Sequence, residues 1–141
     1  VWMVTIFCFS NEKSEDSTDT SGTVIKNILT KFNSFNDLKQ DEQISIIENL
    51  QHPIRKLAHF TIYAIGGVLI FNFINTYEIE NRKKIMFTIL VGALYAVTDE
   101  IHQLFIPGRS GEIIDVMIDT SGVSIGCIII YCLYKLRGKI K

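Results

Sequence analysis

The sequence has no excess of either charge, few cysteines and none of the short motifs that identify common hydrolases. Its 14 Lys and Arg almost balance 15 Asp and Glu, for a formal net charge of −1, so a nucleic acid is not indicated as a partner. The three cysteines lie in apolar segments, which argues against a disulfide framework and favours small packing residues. The sequence also lacks an H-E-x-x-H zinc-protease helix, a G-x-S-x-G turn and a glycine-rich phosphate loop.

Long apolar runs are what the sequence has instead. Apolar residues make up 48% of the 141, and runs of about 20 residues match the thickness of a bilayer core. This pattern predicts an all-α integral membrane protein with a single domain over residues 1–141. We expect a four-transmembrane-helix bundle, with helices at about 1–9, 54–74, 85–105 and 113–134. The first is interpreted as incomplete in this chain; a signal-peptide remnant is the alternative, although no small-residue cleavage site follows it.

The segment between the first two spans is predicted to be a long loop that contains amphipathic helices. Residues 10–22 are polar and rich in Ser and Thr, which indicates an irregular loop. Residues 23–35 carry apolar side chains at helical spacing, which indicates an amphipathic helix. It is expected to lie on the membrane face or to cover the bundle, and an ordinary soluble amphipathic helix is the alternative. A second short helix is expected over 41–50. Pro53 is expected to open the next span, where its missing N–H costs nothing.

The distribution of basic residues predicts the orientation. If four helices alternate, the loop 75–84 and the tail 135–141 lie on one side and hold seven Lys or Arg in 17 residues. The other side spreads its basic residues, including Arg55, Lys56 and Arg109, over a longer and more acidic stretch. The positive-inside bias then puts the carboxyl terminus in the cytoplasm.

Ionisable residues at the inner ends of these apolar runs are the candidate site. They are costly in a membrane and are functional candidates by default. Helical spacing places Asp99 and Gln103 on one face of the third span, Asp115 and Asp119 on one stripe of the fourth, and a basic and aromatic stripe on the second. We expect the three stripes to meet near the extracytoplasmic interface. The expected catalytic residues are Asp99, Glu100 and His59, and the expected ligand-binding residues are Lys56, Arg109, Gln103, Asp115, Asp119 and Tyr63.

Each role has a structural alternative. The charged groups are also consistent with an ion-pair network that fixes the register of the bundle. A metal site built from His59, Asp99, Glu100 and Asp115 stays open, but no metal ligand is assigned because their spacing is not diagnostic. The cofactor is left open as well. Gly122 and Gly126 form a small-xxx-small step that lets another helix approach closely, and a homodimer through this face is expected.

Three blocks of the sequence resemble the VanZ-like family of small bacterial membrane proteins. They are R-K-L-A-H-F-T-I-Y at 55–63, D-E-I-H-Q-L-F-I-P-G-R at 99–109 and D-V-M-I-D-T-S-G at 115–122. The resemblance implies a protein of the bacterial plasma membrane and a link to resistance against the glycopeptide teicoplanin. The family's polar positions fall here on the nine candidate residues named above.

Two hypotheses follow from the residues and the resemblance together. In the first, the polar pocket binds or processes an anionic lipid-linked cell-envelope intermediate, and membrane lipid or that precursor is the partner. In the second, the chain is a non-enzymatic interaction protein whose charges are structural. Whether it is an enzyme is left open, and transport by a dimer is a weaker third reading.

Overall fold

A computed structural model describes residues 2, 3, 6, 14–106 and 111–138, with side chains described from residue 20 onward in the second range. The described part is helical and contains no strand. Its helices are α1 (Ser14–Leu29), α2 (Asn33–Asn36), α3 (Gln40–Ile74), α4 (Asn81–Gln103) and α5 (Ile113–Leu136).

Three of these helices, α3, α4 and α5, are long and apolar enough to cross a membrane. Large apolar side chains such as Leu69, Phe73, Leu94 and Ile128 are about half exposed along them, as expected of surfaces that face lipid rather than water. These features point to a multi-pass membrane protein. Most of the first predicted span, at 1–9, lies outside the described residues. The three residues of this span that the structure describes, Trp2, Met3 and Ile6, are helical.

The segment before α3 differs from the prediction. Residues 14–22, expected to be a loop, form the first part of α1, because this stretch contains a single glycine and no proline to break a helix. The expected helix over 23–35 ends at Leu29. Its apolar stripe does not face the protein: Val24 is 49% and Ile28 51% exposed, whereas Ile25 is buried.

Helix α3 is continuous, so the expected break before Pro53 is wrong. It runs for 35 residues with Pro53 in its interior, although an interior proline loses one hydrogen bond and costs about 3 kcal/mol. The start at Gln40 is fixed locally: the Glu42 carboxylate accepts the backbone N–H of Lys39 at 3.2 Å. The Gln43 amide donates to the carbonyl of Phe35 at 3.0 Å.

Glycines bring α3 and α5 into close contact. A Cβ placed at Gly122 would meet the carbonyl oxygen of Phe60, and one at Gly126 would collide with that of Ala64. From the other side, a Cβ at Gly67 would collide with the backbone of Val123. Close helix approach at the small-xxx-small step is therefore confirmed. The helix that approaches is α3 of the same chain, so this face is not available for the expected homodimer.

Polar contacts at one end of the bundle fix how the helices run. The Tyr134 hydroxyl donates to the Asn72 side chain at 2.7 Å, and the Lys84 ammonium donates to the Asn75 side chain at 2.8 Å. The end of α5 therefore lies beside the end of α3 and the start of α4. The basic turn and the basic residues Lys135 and Arg137 share this end, and the candidate site lies at the other.

Candidate functional site

Three helices supply the candidate site at the end of the bundle opposite the basic turn. The middle of α3, the last turns of α4 and the first turns of α5 meet there. Of the nine residues that the sequence predicts, these helices bring together eight: Lys56, His59, Tyr63, Asp99, Glu100, Gln103, Asp115 and Asp119. The ninth, Arg109, lies outside the described residues.

A partly exposed rim is formed by Lys56 and two acids of the α5 amino terminus. The Lys56 ammonium lies 2.5 Å from the Asp115 carboxylate and 3.3 Å from that of Glu112. The side chains of Lys56, Asp115 and Glu112 are 23%, 28% and 44% exposed. Pairs this accessible contribute little to stability, so the rim can exchange partners at low cost.

Glu100 connects α4 to the start of α5, and Gln103 contacts it from within α4. One Glu100 oxygen accepts the backbone N–H of Glu112 at 2.9 Å, and the other accepts the Gln103 amide at 3.2 Å. Gln103 also donates to Asp99 at 3.3 Å. Both Glu100 oxygens are therefore engaged, one within α4 and one across to the start of α5, which fits a positioning role better than the catalytic role predicted for it.

Glu112 belongs to the site and was not among the predicted residues. It is the residue that precedes the first turn of α5, and its backbone and side chain both contact site residues. The sequence feature that could have predicted Glu112 is its position three residues before Asp115. This spacing places the two acids on one face of a helix.

The deepest part of the site contains Tyr63, Asp99 and Asp119. Tyr63 and Asp119 are fully buried, and Asp99 is 3% exposed. Tyr63 lies beside both carboxylates. The Asp119 oxygen nearest to His59 lies 3.8 Å from Nδ1, which is longer than a hydrogen bond. An uncompensated charge at membrane depth costs at least about 2.5–3.5 kcal/mol, so Asp119 needs a compensating group.

Aromatic rings cover the site on the side of the amino-terminal residues. Trp2 packs edge-on against Tyr63 and contacts Tyr95, with ring centroids 6.0 and 5.9 Å away. The Trp2 indole donates to the carbonyl of Ile62 at 3.2 Å, and the Tyr95 hydroxyl donates to that of Met3 at 2.6 Å. This cover excludes water from Tyr63. Trp2 was not predicted, because its segment was read only as the end of a span.

The described groups of the site carry more negative than positive charge. Five carboxylates, those of Asp99, Glu100, Glu112, Asp115 and Asp119, face one lysine and one histidine. Such a set can accept and release protons or hold a cation. His59, Asp99 and Asp119 can each offer one metal-ligand atom, and these three atoms lie within 4.8 Å of one another. Sequence spacing did not predict this grouping, because each residue comes from a different helix.

Comparison with known proteins gives one match. The family model described as VanZ/LLP1 matches residues 1–135, nearly the whole chain and every residue of the site. No curated protein and no solved structure matches the chain.

Proposed function

The chain belongs to the VanZ/LLP1 family, and from that premise we propose that its polar site binds the anionic head group of a lipid-linked cell-envelope intermediate. One observation carries the proposal: the site grades from a partly exposed rim, where the Lys56 ammonium pairs with Asp115 and Glu112, to buried acids behind it, within helices long enough to span a membrane. A head group at the interface can reach such a rim while its lipid chain stays in the bilayer.

The proposed orientation puts the site at the extracytoplasmic face of the bacterial plasma membrane. The basic turn between α3 and α4 lies at the end opposite to the site, beside the end of α5. The positive-inside bias places that basic end, and with it the carboxyl terminus, in the cytoplasm. Envelope intermediates that have crossed the membrane would then meet the rim.

Lys56 is the residue proposed to engage the head group. It is paired with Asp115 and Glu112, so an anionic oxygen has to replace one of these carboxylates as its partner. The exchange costs little, because all three side chains are partly exposed. Arg109, placed by sequence alone in the turn before α5, is proposed as a second cation that grips phosphate with two parallel hydrogen bonds.

If the site also processes its ligand, Asp99 and His59 are better placed than Glu100 to take part. Glu100 is engaged by the Gln103 amide and by the backbone N–H of Glu112, whereas Asp99 and His59 lie together with Asp119. In a site closed to water these two groups can act on the ligand directly as a base, or through a cation that they hold.

The experiment is a binding assay on the purified protein in detergent. Polyprenyl phosphate is the ligand, and the matching uncharged polyprenol reports on binding of the lipid chain alone. We expect wild type to prefer the phosphate, and Lys56→Gln, or Lys56→Ala with Arg109→Ala, to lose that preference by about tenfold or more. Lys83→Gln is the matched control, since Lys83 is exposed and pairs with Glu80 at the opposite end.

Equal affinity of wild type for phosphate and polyprenol, or equal binding by wild type and the Lys56 variants, would refute the proposal. The proposed link to antibiotic resistance is tested separately. Expression in a teicoplanin-susceptible bacterium should raise the inhibitory concentration of teicoplanin with wild type and with Lys83→Gln. It should not do so with Lys56→Gln.

A structural role is the second candidate, and the contacts between helices favour it specifically. Lys56 of α3 forms an ion pair with Glu112 at the start of α5, and the Glu112 backbone N–H donates to Glu100 of α4. These two contacts link all three spans. In that case Asp99→Asn should lower thermal stability as much as it lowers resistance. A stable Asp99→Asn protein without resistance supports the pocket instead.

A further inference from the structure

Asp119 is the observation from which a further site follows. Its side chain is 1% exposed, and neither of its oxygens has a hydrogen-bond partner among the described residues. Buried polar atoms are almost always hydrogen-bonded, and a buried carboxylate is compensated by a cation or a proton. The nearest polar groups of the site are another carboxylate, that of Asp99, and the imidazole of His59.

The charges around Asp119 favour a cation as the compensating group. Lys56 is already paired with Asp115 and Glu112, and Glu100, next to Asp99 on α4, adds a further carboxylate.

The geometry points to a divalent metal site in which His59, Asp99 and Asp119 are the ligands. One ligand atom from each lies within 4.8 Å of the other two. Ligands on a metal with bonds of about 2.1 Å lie roughly 3.0–3.5 Å apart, so side-chain movements of about 1 Å close the site. The separation of 3.8 Å between His59 Nδ1 and Asp119 Oδ2 is near this range.

The donor set indicates which metals fit. One imidazole with two carboxylates suits Zn²⁺, Mn²⁺ or Fe²⁺, whereas Mg²⁺ and Ca²⁺ prefer all-oxygen ligands. Three protein ligands leave positions open for water or for an oxygen of a ligand, as in catalytic rather than structural sites. The glycine contacts between α3 and α5 hold two of the three ligands near each other.

The test measures metal bound to the full chain in detergent, with no lipid ligand added, so that its result does not depend on the proposed function. Protein stripped with a chelator is dialysed against Zn²⁺, Mn²⁺ or Mg²⁺, and bound metal is measured by elemental analysis. We expect about one Zn²⁺ or Mn²⁺ per chain. His59→Ala and Asp119→Asn should each weaken binding by about 100-fold or more, since even loss of outer-shell partners costs 10–100-fold.

Two controls and one rescue make the result specific. His52→Ala removes an exposed imidazole from the same helix, and Glu80→Gln removes an exposed carboxylate at the opposite end of the bundle; both should bind metal as wild type does. His59→Cys replaces one ligand by a thiolate, and on binding Cd²⁺ it should show a sulfur-to-metal charge-transfer absorption above the background that the three native cysteines give in wild type. The added absorption requires the metal at residue 59.

Binding of no offered metal by wild type would overturn the inference and leave a proton as the compensating group. Metal binding that survives in His59→Ala and Asp119→Asn would overturn it as well, because the metal would lie elsewhere. If Asp119→Asn does not fold, the His59→Ala and His59→Cys pair decides the same question.

Discussion

His59 on α3 and Asp119 on α5 face each other across the bundle, with Nδ1 and Oδ2 3.8 Å apart and the Asp119 side chain 1% exposed. One turn further along α5, Gly122 and Gly126 let the backbones of the two helices touch. Tight backbone packing therefore lies next to the approach of an imidazole to a buried carboxylate, and the packing holds these two groups at a distance that only a small group can bridge.

The first prediction concerns the stability of Asp119→Asn. In the absence of metal, Asp119 adds negative charge beside Asp99 and Glu100, so its neutralisation removes repulsion and leaves Asn able to hydrogen-bond. We expect the midpoint of thermal unfolding in chelator to be equal to or above that of wild type. Added Zn²⁺ or Mn²⁺ should raise the midpoint of wild type and leave that of Asp119→Asn unchanged.

Asp115→Asn is the control for this experiment, since Asp115 is 28% exposed and pairs with Lys56. Its loss should cost about 0–1 kcal/mol and should leave the metal-dependent shift intact. A clearly lower midpoint for Asp119→Asn in chelator would show that its charge is needed for folding.

The second prediction compares two Gly→Ala substitutions with opposite expected signs. At Gly126 an alanine Cβ would collide with the Ala64 carbonyl of α3, and backbone cannot yield without separating the helices, so we expect a loss of about 1–3 kcal/mol. At Gly22 the nearest atom is the flexible end of Gln51. Gly22→Ala should therefore be neutral or stabilising by up to about 1 kcal/mol through helix propensity.

Reversible unfolding in mixed micelles, followed by circular dichroism, gives both values. A stable Gly126→Ala would mean that α3 and α5 are further apart than described.

Much of the fold was predictable because run length alone identifies membrane spans. The spans expected at 85–105 and 113–134 correspond to α4 at Asn81–Gln103 and α5 at Ile113–Leu136. Residues that tend to break helices were a poorer guide to where the helices begin and end. Pro53 was expected to begin a helix and lies inside one, since packing of α3 on its neighbours outweighs the local cost of a proline.

The sequence predicted most of the residues of the candidate site, but it did not predict which of them contact each other. Helical periodicity places Asp115 and Asp119 on one stripe whatever the neighbours are. Which of them contacts Lys56 and which contacts His59 depends on the relative depth and rotation of α3 and α5. That register is set by the glycine contacts, and a single sequence does not contain it.

The third prediction concerns the hydrogen bond from the Glu112 backbone to Glu100, 2.9 Å long and partly buried. Glu100→Ala leaves this N–H without its acceptor, and the Gln103 amide loses one acceptor as well, so we expect a loss of about 1–3 kcal/mol. Glu100→Gln keeps one oxygen and should lose less. Metal binding should persist in Glu100→Gln, because Glu100 is not among the proposed ligands.

Hydrogen exchange of the Glu112 amide is the direct measurement. Exchange that is unchanged in Glu100→Ala would contradict the bond, and a larger loss of stability in Glu100→Gln than in Glu100→Ala would contradict its assigned role.

The last prediction uses Trp2, the single tryptophan of the sequence, as a probe of the cover over the site. A Cβ at Gly66 would collide with the outer edge of the Trp2 indole, and a side chain can turn away where backbone cannot. Gly66→Ala should therefore displace Trp2 from Tyr63 and Ile62 without unfolding α3. The tryptophan bands of the near-ultraviolet circular dichroism, which require a fixed ring, should weaken while the helical signal persists. Gly22→Ala, remote from Trp2, should leave those bands unchanged.

Because displacement opens a path to Tyr63 and Asp99, Gly66→Ala should also exchange bound metal faster than wild type. Unaltered tryptophan bands in Gly66→Ala would mean that the indole does not pack on this glycine and that the cover lies elsewhere.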